Sequence, residues 1–481
     1  MLFSSFTFLL IFLPFTYIVH GIIPKDKIKW RNIFLLVMSC AFYAWGGLWY
    51  FLIMLGSILL NYFGALLIAK QKQKEVASPS NKPLSKIILI IVITLNLGLL
   101  FYFKYYNFLL DFVGAITARK LDFVRVALPI GISFFTFQAM SYTIDVYQGK
   151  AEVQKSIFDL ALFISLFPQL IAGPIVKYGD IKDQLEIRET TPEKTYYGIR
   201  RFIYGLAKKV LIANTMALVV DNLFALQPAE LGSSLAWIGS LFYAFQIYYD
   251  FSGYSDMAIG LGAMFGFKFM ENFNYPYIAT SVQDFWRRWH ISLSAWFKEY
   301  LYIPLGGNRK GKLRTYLNLA IVFLLTGLWH GANYTFVFWG LFYGIFLILE
   351  RAFLGDLLKK NPIKPLNWLY SMVVVLVAWV FFRSENVTYA FQYIGQMFAF
   401  RGSELNIMRY VTLESLIALP FAILLSGVTQ TLILKRNPNA VSLREKPAFF
   451  YSEAVLLFAL LFFCILILAG GSYNPFIYFQ F

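Results

Sequence analysis

The residues best suited to proton-transfer chemistry are the histidines, of which this chain of 481 residues has only three. His330 directly follows the apolar run 316–329 and precedes a second apolar run, 334–349. An ionisable group at such a position is costly and marks a functional site by default, although a structural histidine hydrogen-bonded between helices is the alternative. His20, at the end of the first apolar run, is more typical of a structural residue.

His290 lies in a segment rich in aromatic and basic residues, 284–297. We predict one amphipathic helix here, in which Asp284 pairs with Arg288 four residues later. One face of this helix holds Trp286, His290 and Ser294, and the apolar face holds Trp289, Leu293, Trp296 and Tyr300. The apolar face suits the membrane interface, and the basic residues of such a helix can also hold a phosphorylated cofactor.

Two carboxylates, Asp250 and Asp256, interrupt an otherwise apolar segment and should face the protein interior. For Asp250 three interpretations remain open: it orients a histidine, it pairs with Arg287 or Arg288, or it belongs to a structural ion pair. Asn333, three residues after His330, is a further polar candidate.

The elements that must position these residues are predicted to be membrane helices. Hydrophobic residues make up 59% of the chain and charged residues 14%, against about 25% charged in soluble domains. Apolar runs long enough to cross a bilayer recur from end to end. We therefore predict an all-α polytopic membrane protein with about 11–13 membrane-embedded helical segments, some of them re-entrant.

No stretch of the sequence has the pattern of a separate soluble domain, so we predict one integral membrane domain. Its three parts are N-terminal spans (1–126), a core with both histidines (127–350) and C-terminal spans (351–481). Proline, glycine and polar residues break the runs of the core, and irregular backbone at membrane depth survives only where protein buries it or a wet cavity adjoins it. The functional region should therefore lie in the core.

The net charge of +16 does not indicate nucleic-acid binding, because the basic residues concentrate in short loops between apolar runs. These loop residues include Lys25, Lys27, Lys29, Lys82, Lys298, Lys435, Arg436, Arg444 and Lys446. Basic short loops mark the cytoplasmic side, which predicts that both termini lie outside. Anionic lipid is a secondary partner of such loops.

The sequence favours no metal site. The three histidines are few and far apart, and Cys40 and Cys464 both fall within apolar runs.

Several motifs carry a resemblance to a known family. They are PIGISFFTF at 129–137, LIAGP at 170–174, YDFSGYSD at 249–256, NFNYP at 272–276, YIPLGG at 302–307, LWHG at 328–331 and FIYF at 476–479. In this order they resemble the membrane-bound O-acyltransferase family. Within the family they are most similar to the membrane subunits of bacterial alginate and related exopolysaccharide O-acetylation systems.

The resemblance implies a fold and an activity. The fold would be a helical bundle around a central funnel in the bacterial cytoplasmic membrane. His330 would be catalytic, acting as general base, and His290 would be its partner, orienting the thioester or stabilising the oxyanion. Cytoplasmic acetyl-CoA would be the donor substrate, with no permanently bound cofactor, and Trp286, Arg287 and Arg288 would hold it.

The acetyl group would pass across the membrane to an exported polysaccharide with the help of a separate exported partner protein. Two other enzyme readings stay open within the family: a D-alanyl transferase of teichoic acid and a lipid acyltransferase. Outside it, a polytopic transporter would move substrate without making bonds, and a membrane scaffold would not need either histidine. The absence of an internal repeat counts mildly against a transporter.

Overall fold

The structure is a computed structural model that describes residues 1–77, 83–117, 124–429, 447–471 and 476–477. Within these ranges the regular elements are helices and no residue is in a strand, as expected for segments that must satisfy their own backbone hydrogen bonds in lipid. The all-α polytopic prediction is confirmed. Lys82, Lys435, Arg436, Arg444 and Lys446, together with motif positions 478–479, lie outside the described residues.

Six helices of the described chain are long and apolar enough to cross a membrane. They cover Leu48–Ala77, Leu84–Gly114, Pro192–Phe224, Tyr334–Lys360, Lys364–Arg383 and Phe450–Ala469. Two shorter apolar helices cover Thr7–Ile22 and Leu413–Val428. Several runs of the predicted core form short helices instead, so the number of membrane-embedded segments stays a prediction.

The chain packs as two compact units. The first contains Met1–Phe202 and Met257–Met270, and the second contains Ile203–Asp256 and Glu271–Phe481. All the predicted site residues belong to the second unit. This division does not follow the three parts predicted from the sequence, and the single-domain interpretation stays a prediction.

Most helices of the first unit are apolar and closely packed. They are α1 (Leu13–Ile22), α2 (Ile28–Ala44), α3 (Leu48–Ala77), α4 (Leu84–Thr117), α5 (Ile132–Gln148), α6 (Ile157–Ser165), α7 (Phe167–Leu170), α8 (Tyr178–Glu186) and α9 (Pro192–Ala207), with a π-helical segment Thr7–Phe12 before α1. The last residues of α9 belong to the second unit. Phe8, Phe12, Phe42 and Phe167 form an aromatic core in which ring centres lie 5.3–6.2 Å apart.

A polar contact joins α3, α4 and α5 inside the first unit. The side-chain amides of Asn61 and Asn96 hydrogen-bond each other, at 3.0 and 3.2 Å, and the Thr143 hydroxyl donates to Asn61 at 2.8 Å. Such bonds hold membrane helices together where no hydrophobic force acts between them. A close approach at Gly64, where a Cβ would come within 2.6 Å of Val92, serves the same packing.

The second unit holds the remaining helices. They are α10 (Asn214–Phe224), α11 (Pro228–Met264, of which the last residues belong to the first unit), α12 (Val282–Arg288), α13 (Ile291–Phe297), α14 (Lys312–His330), α15 (Tyr334–Leu349), α16 (Gly355–Lys360), α17 (Lys364–Arg383), α18 (Val387–Met397), α19 (Leu413–Ile423) and α20 (Pro447–Ala469). Two 3₁₀ turns lie at Pro276–Ile278 and Ile407–Arg409, and π-helical segments at Lys208–Ala213, Lys298–Tyr302, Glu350–Leu354 and Leu424–Val428.

Helices α14 and α15 form a tight hairpin because glycines line their contact. A Cβ on Gly327 would lie 2.3 Å from the carbonyl oxygen of Phe336, and a Cβ on Gly340 would lie 2.3 Å from that of Phe323. Small residues that let backbones touch are typical of membrane helix pairs. The hairpin fixes the end of α14, where His330 is the last helical residue.

Candidate active site

His330 lies in a box of aromatic rings contributed by three helices. The ring centres of Trp329 on α14, Trp339 on α15 and Phe382 on α17 lie 5.0, 4.9 and 5.2 Å from that of the imidazole. The residue is buried, with 3% of its surface exposed. The box shields the imidazole from bulk water.

The segment around His290 is not the single helix predicted from its pattern. Helix α12 ends at Arg288 and α13 begins at Ile291, and His290 between them is left-handed, with φ of 44° and ψ of 55°. Backbone hydrogen bonds to the 272–274 loop replace those that a continuous helix would make. The Asn274 N–H donates to the Arg288 carbonyl and the Ile291 N–H donates to the Asn272 carbonyl, both at 2.9 Å. Strained backbone of this kind clusters at functional sites.

The apolar face predicted for the membrane interface is also wrong. Trp289, Leu293, Trp296 and Tyr300 are all buried within the protein. The Trp289 ring, for example, lies 4.9 Å from that of Trp379 and 5.6 Å from that of Phe285. Because the chain breaks at His290, the faces of one continuous helix do not exist, and these side chains pack into the core of the second unit.

A single oxygen orients the His290 ring. The Asn272 side-chain oxygen lies 3.2 Å from Nδ1 of His290, and it accepts from the backbone N–H of Ser292 at 3.2 Å and from its hydroxyl at 2.8 Å. Because a backbone N–H only donates, the Asn272 atom that it meets must be the acceptor oxygen. Nδ1 of His290 must therefore carry the proton, and Nε2 is left with the lone pair.

Burial keeps His290 uncharged. The residue is fully buried and its ring packs edge-to-face on Phe251, with 4.7 Å between ring centres. Desolvation lowers the pKa of His290 to about 3. The imidazole is thus a neutral acceptor at physiological pH.

The structure brings the two predicted histidines together. Their ring centres lie 6.5 Å apart, although 40 residues of sequence separate the positions 290 and 330. This separation is too long for the rings to stack on each other, so the two imidazoles can act on different atoms of one reacting group.

Asp250 forms a buried ion pair with a residue that the sequence analysis did not consider. Its Oδ1 lies 2.5 Å from Nζ of Lys209, and its Oδ2 accepts from the backbone N–H of Ile477 at 2.7 Å. Pairing with Arg287 or Arg288 is therefore wrong, and the structural interpretation holds. The sequence feature that could have indicated this ion pair is the pair of adjacent lysines, at 208 and 209, within an apolar run.

Asp256 pairs in the same way with Lys208, at 2.6 Å. Both lysines belong to the π-helical segment Lys208–Ala213. The two carboxylates therefore anchor this segment to α11. In addition, Phe476 packs on Phe251, the residue whose ring supports His290, so the anchored residues 476–477 adjoin the site.

The remaining predicted site residues hold backbone in place. The Asp284 pair with Arg288 is confirmed at 2.9 Å, and Arg288 also donates to the Asn274 carbonyl at 3.2 Å, which ties α12 to the Asn272 loop. Asn333 caps α15: its oxygen accepts from the Thr335 N–H at 3.0 Å and its amide donates to the Glu385 carbonyl at 2.9 Å.

Glu350 is a positioning residue that the sequence analysis missed. Its carboxylate oxygens accept from the backbone N–H groups of Val282 at 2.7 Å and Gln283 at 2.9 Å. A carboxylate at the start of a helix satisfies amides that have no partner within the helix. It fixes the position of α12 relative to α15, and no local pattern in the sequence indicates this contact.

A cavity of about 220 Å³ lies between α12, α13 and α14, and its wall includes residues near His290 and His330 in sequence but neither histidine itself. Leu293 and Ser294, which follow His290, line one side, and Thr326, one turn before His330, lines another. The wall is largely apolar, but Arg287 and Lys298 contribute two cations. Arg288 is not among the lining residues, and Lys298 is a cation to which the sequence analysis gave no role in the site.

Trp286 is the most informative residue of the cavity wall. Its indole is buried, and within the described part of the chain its N–H has no hydrogen-bond acceptor. A buried indole N–H usually finds one. An oxygen atom of a ligand in the cavity would satisfy it.

A family model describing membrane-bound O-acyltransferases matches residues 132–391, which is more than half of the chain and includes both histidines. The chain belongs to the membrane-bound O-acyltransferase family. It is accordingly an integral membrane O-acyltransferase, and the resemblance drawn from the motifs is confirmed.

Curated relatives within the family modify different polymers. The chain is 42% identical, over the full length of both proteins, to the probable alginate O-acetylase AlgI of Pseudomonas putida. It is 37% identical to the peptidoglycan O-acetyltransferase of Helicobacter pylori, over 84% of this chain and 81% of the relative. It is 28% identical to the teichoic acid D-alanyltransferase of Bacillus subtilis, over 51% of this chain and 65% of that protein.

Proposed function

We propose that this O-acyltransferase transfers acetyl from cytoplasmic acetyl-CoA, across the bacterial cytoplasmic membrane, for O-acetylation of an exported polysaccharide. The observation that carries the proposal is the buried pair His290 and His330, together with a cavity in the same unit whose wall holds Trp286 and two cations. Full-length similarity to alginate O-acetylases supports the acetyl group and the polysaccharide acceptor. Both termini lie outside in this proposal, as the basic loops favour.

The cavity would receive the acyl donor. Its apolar wall suits the thioester and the pantetheine arm, and Arg287 and Lys298 would bind phosphate groups at the exposed side. We assign the Trp286 N–H to an oxygen of the donor, because this N–H lacks an acceptor among the described residues. Arg288 has a different role from the one inferred from sequence, since it is engaged with Asp284 and Asn274.

His330 would act as general base. It takes the proton of the attacking hydroxyl while the hydroxyl oxygen bonds to the thioester carbonyl carbon. The C–S bond then breaks, and the sulfur leaves as a thiolate that regains a proton to give free coenzyme A. No metal is required for this step.

The hydrogen bond from His290 to Asn272 favours one of the two roles inferred for this histidine, that of orienting the thioester. A neutral ring whose proton is on Nδ1 cannot donate from Nε2 to an oxyanion, so the oxyanion role inferred from sequence does not suit this tautomer. Nε2 can instead accept from an amide N–H of the pantetheine arm and so orient the thioester. His290 would thus act on the donor and His330 on the acceptor.

The test is acetyl transfer by the purified full-length protein in liposomes, measured as release of free coenzyme A with a soluble oligosaccharide as acceptor. His330→Ala should reduce the rate by about 10²–10⁴-fold, the usual contribution of a general base. The matched control is Lys359→Ala, an exposed residue, and both variants must reach the membrane and unfold at the wild-type temperature. Transfer that survives in His330→Ala would overturn the catalytic assignment.

The same assay distinguishes the proposed acetyl transfer from the alternative functions. A D-alanyl or lipid acyltransferase would use a different donor or acceptor and would leave acetyl-CoA intact under these conditions. A transporter would move substrate without thioester cleavage, with or without His330. The completion of transfer by an exported partner protein predicts that turnover onto native polymer rises when that partner is added.

A further inference from the structure

A group of buried basic side chains lies in the first unit, outside the acyltransferase site. Arg31 at the start of α2 is 3% exposed, Arg188 after α8 is 9% exposed and His20 near the end of α1 is 2% exposed. From the sequence, Arg31 was predicted only to mark the cytoplasmic side with Lys25, Lys27 and Lys29. The two buried guanidinium groups need an explanation, because a buried charge is destabilising unless it is paired.

Short polar contacts hold the two arginines close to each other. Arg188 donates from Nη1 to the side-chain oxygen of Asn32 at 2.6 Å and from Nε to the Phe265 carbonyl at 3.1 Å. Arg31, the residue before Asn32, donates to the Ile23 carbonyl at 2.7 and 3.0 Å and to the Thr190 hydroxyl at 3.1 Å. These acceptors are neutral, so they position the guanidinium groups without neutralising them.

Carboxylates of the described chain balance the cluster only in part, because Asp26 and Asp159 act on Arg31 and Arg188 without forming an ion pair with them. Among the described residues, no ion pair within 4.0 Å involves Arg31 or Arg188. The nearby Asp159 accepts instead from the Asn32 amide, at 3.1 Å. Burial, and then the charge of Arg31, lower the pKa of Arg188 to about 9, and the charge of Asp159 offsets only part of this decrease.

Two donors of the cluster are not satisfied by the described chain. Nη2 of Arg188 and Nε2 of His20 are buried and have no hydrogen-bond partner there. The two residues are neighbours because both contact Phe265. The His20 ring packs edge-to-face on the Phe265 ring, with 5.2 Å between ring centres, and Arg188 donates to the Phe265 carbonyl. Buried polar groups in native structures almost always have partners, and acceptor oxygens of a bound ligand would satisfy both nitrogens.

The surroundings of the cluster are those of a membrane interface. Ile22, Trp30 and Ile187, which adjoin it along the chain, are 74%, 64% and 82% exposed. Exposed lysines at positions 25 and 27 lie in the loop before α2, and an exposed Lys29 lies in its first turn. Tryptophan and apolar residues beside lysines are typical of the level at which lipid headgroups lie.

We propose that Arg31, Arg188 and His20 form a binding site for the phosphate of an anionic phospholipid headgroup. The phosphate oxygens accept from Arg188 Nη2 and from His20 Nε2, and its charge balances the two guanidinium groups. The acyl chains of the lipid lie against Ile22, Trp30 and Ile187. The site binds lipid as a structural ligand of the first unit, and it is separate from the proposed acetyl transfer.

The experiment is a lipid titration of the purified, delipidated full-length protein. Bound lipid is counted by native mass spectrometry, and unfolding is followed by tryptophan fluorescence. Mixed micelles containing phosphatidylglycerol should bind saturably and raise the unfolding temperature, whereas phosphatidylcholine should do neither. Arg188→Gln and Arg31→Gln should weaken phosphatidylglycerol binding by about tenfold or more, the usual effect of losing a hydrogen bond to a charged group.

The matched control is Lys29→Gln, which removes an exposed cation of the first turn of α2 and should change the affinity by less than about twofold. Equal binding of the two lipids by the wild-type protein, or undiminished binding by Arg188→Gln, would overturn the proposal. Inorganic phosphate that stabilises the protein as well as phosphatidylglycerol would assign the site to a free anion instead. If the arginine variants do not fold, His20→Gln and the wild-type titrations still decide.

Discussion

The side-chain oxygen of Asn272 lies 3.2 Å from Nδ1 of His290 and sets the tautomer of that imidazole. The same oxygen accepts two hydrogen bonds from Ser292, so its identity as an acceptor is fixed by the backbone. The contact explains why His290 leaves the helical conformation: the left-handed backbone aligns its ring with the Asn272 loop. A neutral His290 with its lone pair on Nε2 is the consequence.

Replacing Asn272 should therefore affect catalysis more than folding. We expect Asn272→Ala to lower kcat by about 10–100-fold, as loss of a partner that orients a histidine typically does. Asn272→Asp keeps an acceptor oxygen and should retain most of the rate at neutral pH. The measurement is kcat and KM for acetyl transfer by both variants, and an equal loss in the two would contradict the orienting role.

Removing the cations of the cavity wall should weaken donor binding. Arg287→Ala and Lys298→Ala should each raise KM for acetyl-CoA by about tenfold, because each loses a charge-assisted contact with phosphate. The matched comparison is Arg288→Ala, which removes a cation outside the cavity wall and should mainly lower stability. An unchanged KM in the double variant Arg287→Ala with Lys298→Ala would contradict the cavity as the donor site.

Breaking the Lys209 pair with Asp250 should destabilise the protein strongly. Asp250→Ala leaves a buried ammonium group without its carboxylate, and we expect a loss of about 3–5 kcal/mol in the free energy of unfolding. The double variant Lys209→Met with Asp250→Leu removes both charges and should recover much of the loss. Thermal unfolding in detergent measures the stability of the single and the double variant. An Asp250→Ala protein as stable as wild type would show that the ion pair is not structural.

The stability of the protein should fall in mildly acidic solution because of His290. Its pKa is lowered to about 3 in the folded protein, whereas the unfolded chain takes up the proton near pH 6.5. Below pH 6.5 the unfolded state binds a proton that the folded state does not, so the free energy of unfolding decreases by up to about 1.4 kcal/mol per pH unit. Unfolding midpoints between pH 7 and pH 5 should fall less steeply in His290→Gln, and identical slopes would contradict the prediction.

The glycine contact between α14 and α15 should be essential for placing His330. A Cβ on Gly327 would lie 2.3 Å from the Phe336 carbonyl oxygen, so Gly327→Ala must separate the two helices. We expect lower stability and a lower rate of transfer. Gly395→Ala is the control, because in α18 a Cβ meets nothing within 4 Å, and it should leave the rate unchanged and raise stability by up to about 1 kcal/mol.

Much of the architecture follows from local sequence. The low charged fraction and the repeated apolar runs determine an all-helical membrane protein, because lipid leaves the backbone no partner except itself. The i, i+4 spacing of Asp284 and Arg288 was sufficient to predict their ion pair. The motifs identified the family and selected His290 and His330, since chemistry constrains residue types at fixed spacings.

Tertiary structure decided what local pattern cannot encode. Whether residues 284–297 stay helical depends on hydrogen bonds from the Asn272 loop, which compete with those of the helix. The partner of Asp250 was Lys209, 41 positions away in sequence, because packing of α11 against the π-helical segment brings the two together.

His290 and His330 were recognisable in the sequence, but their separation of 6.5 Å was not. The distance depends on a glycine-lined hairpin, on the break at His290 and on the Glu350 carboxylate that holds α12. Each of these depends on contacts between separate elements of the chain, which no local pattern encodes. The sequence by itself determined which residues are candidates for the chemistry, and the tertiary contacts decided their neighbours and their geometry, including the tautomer of His290.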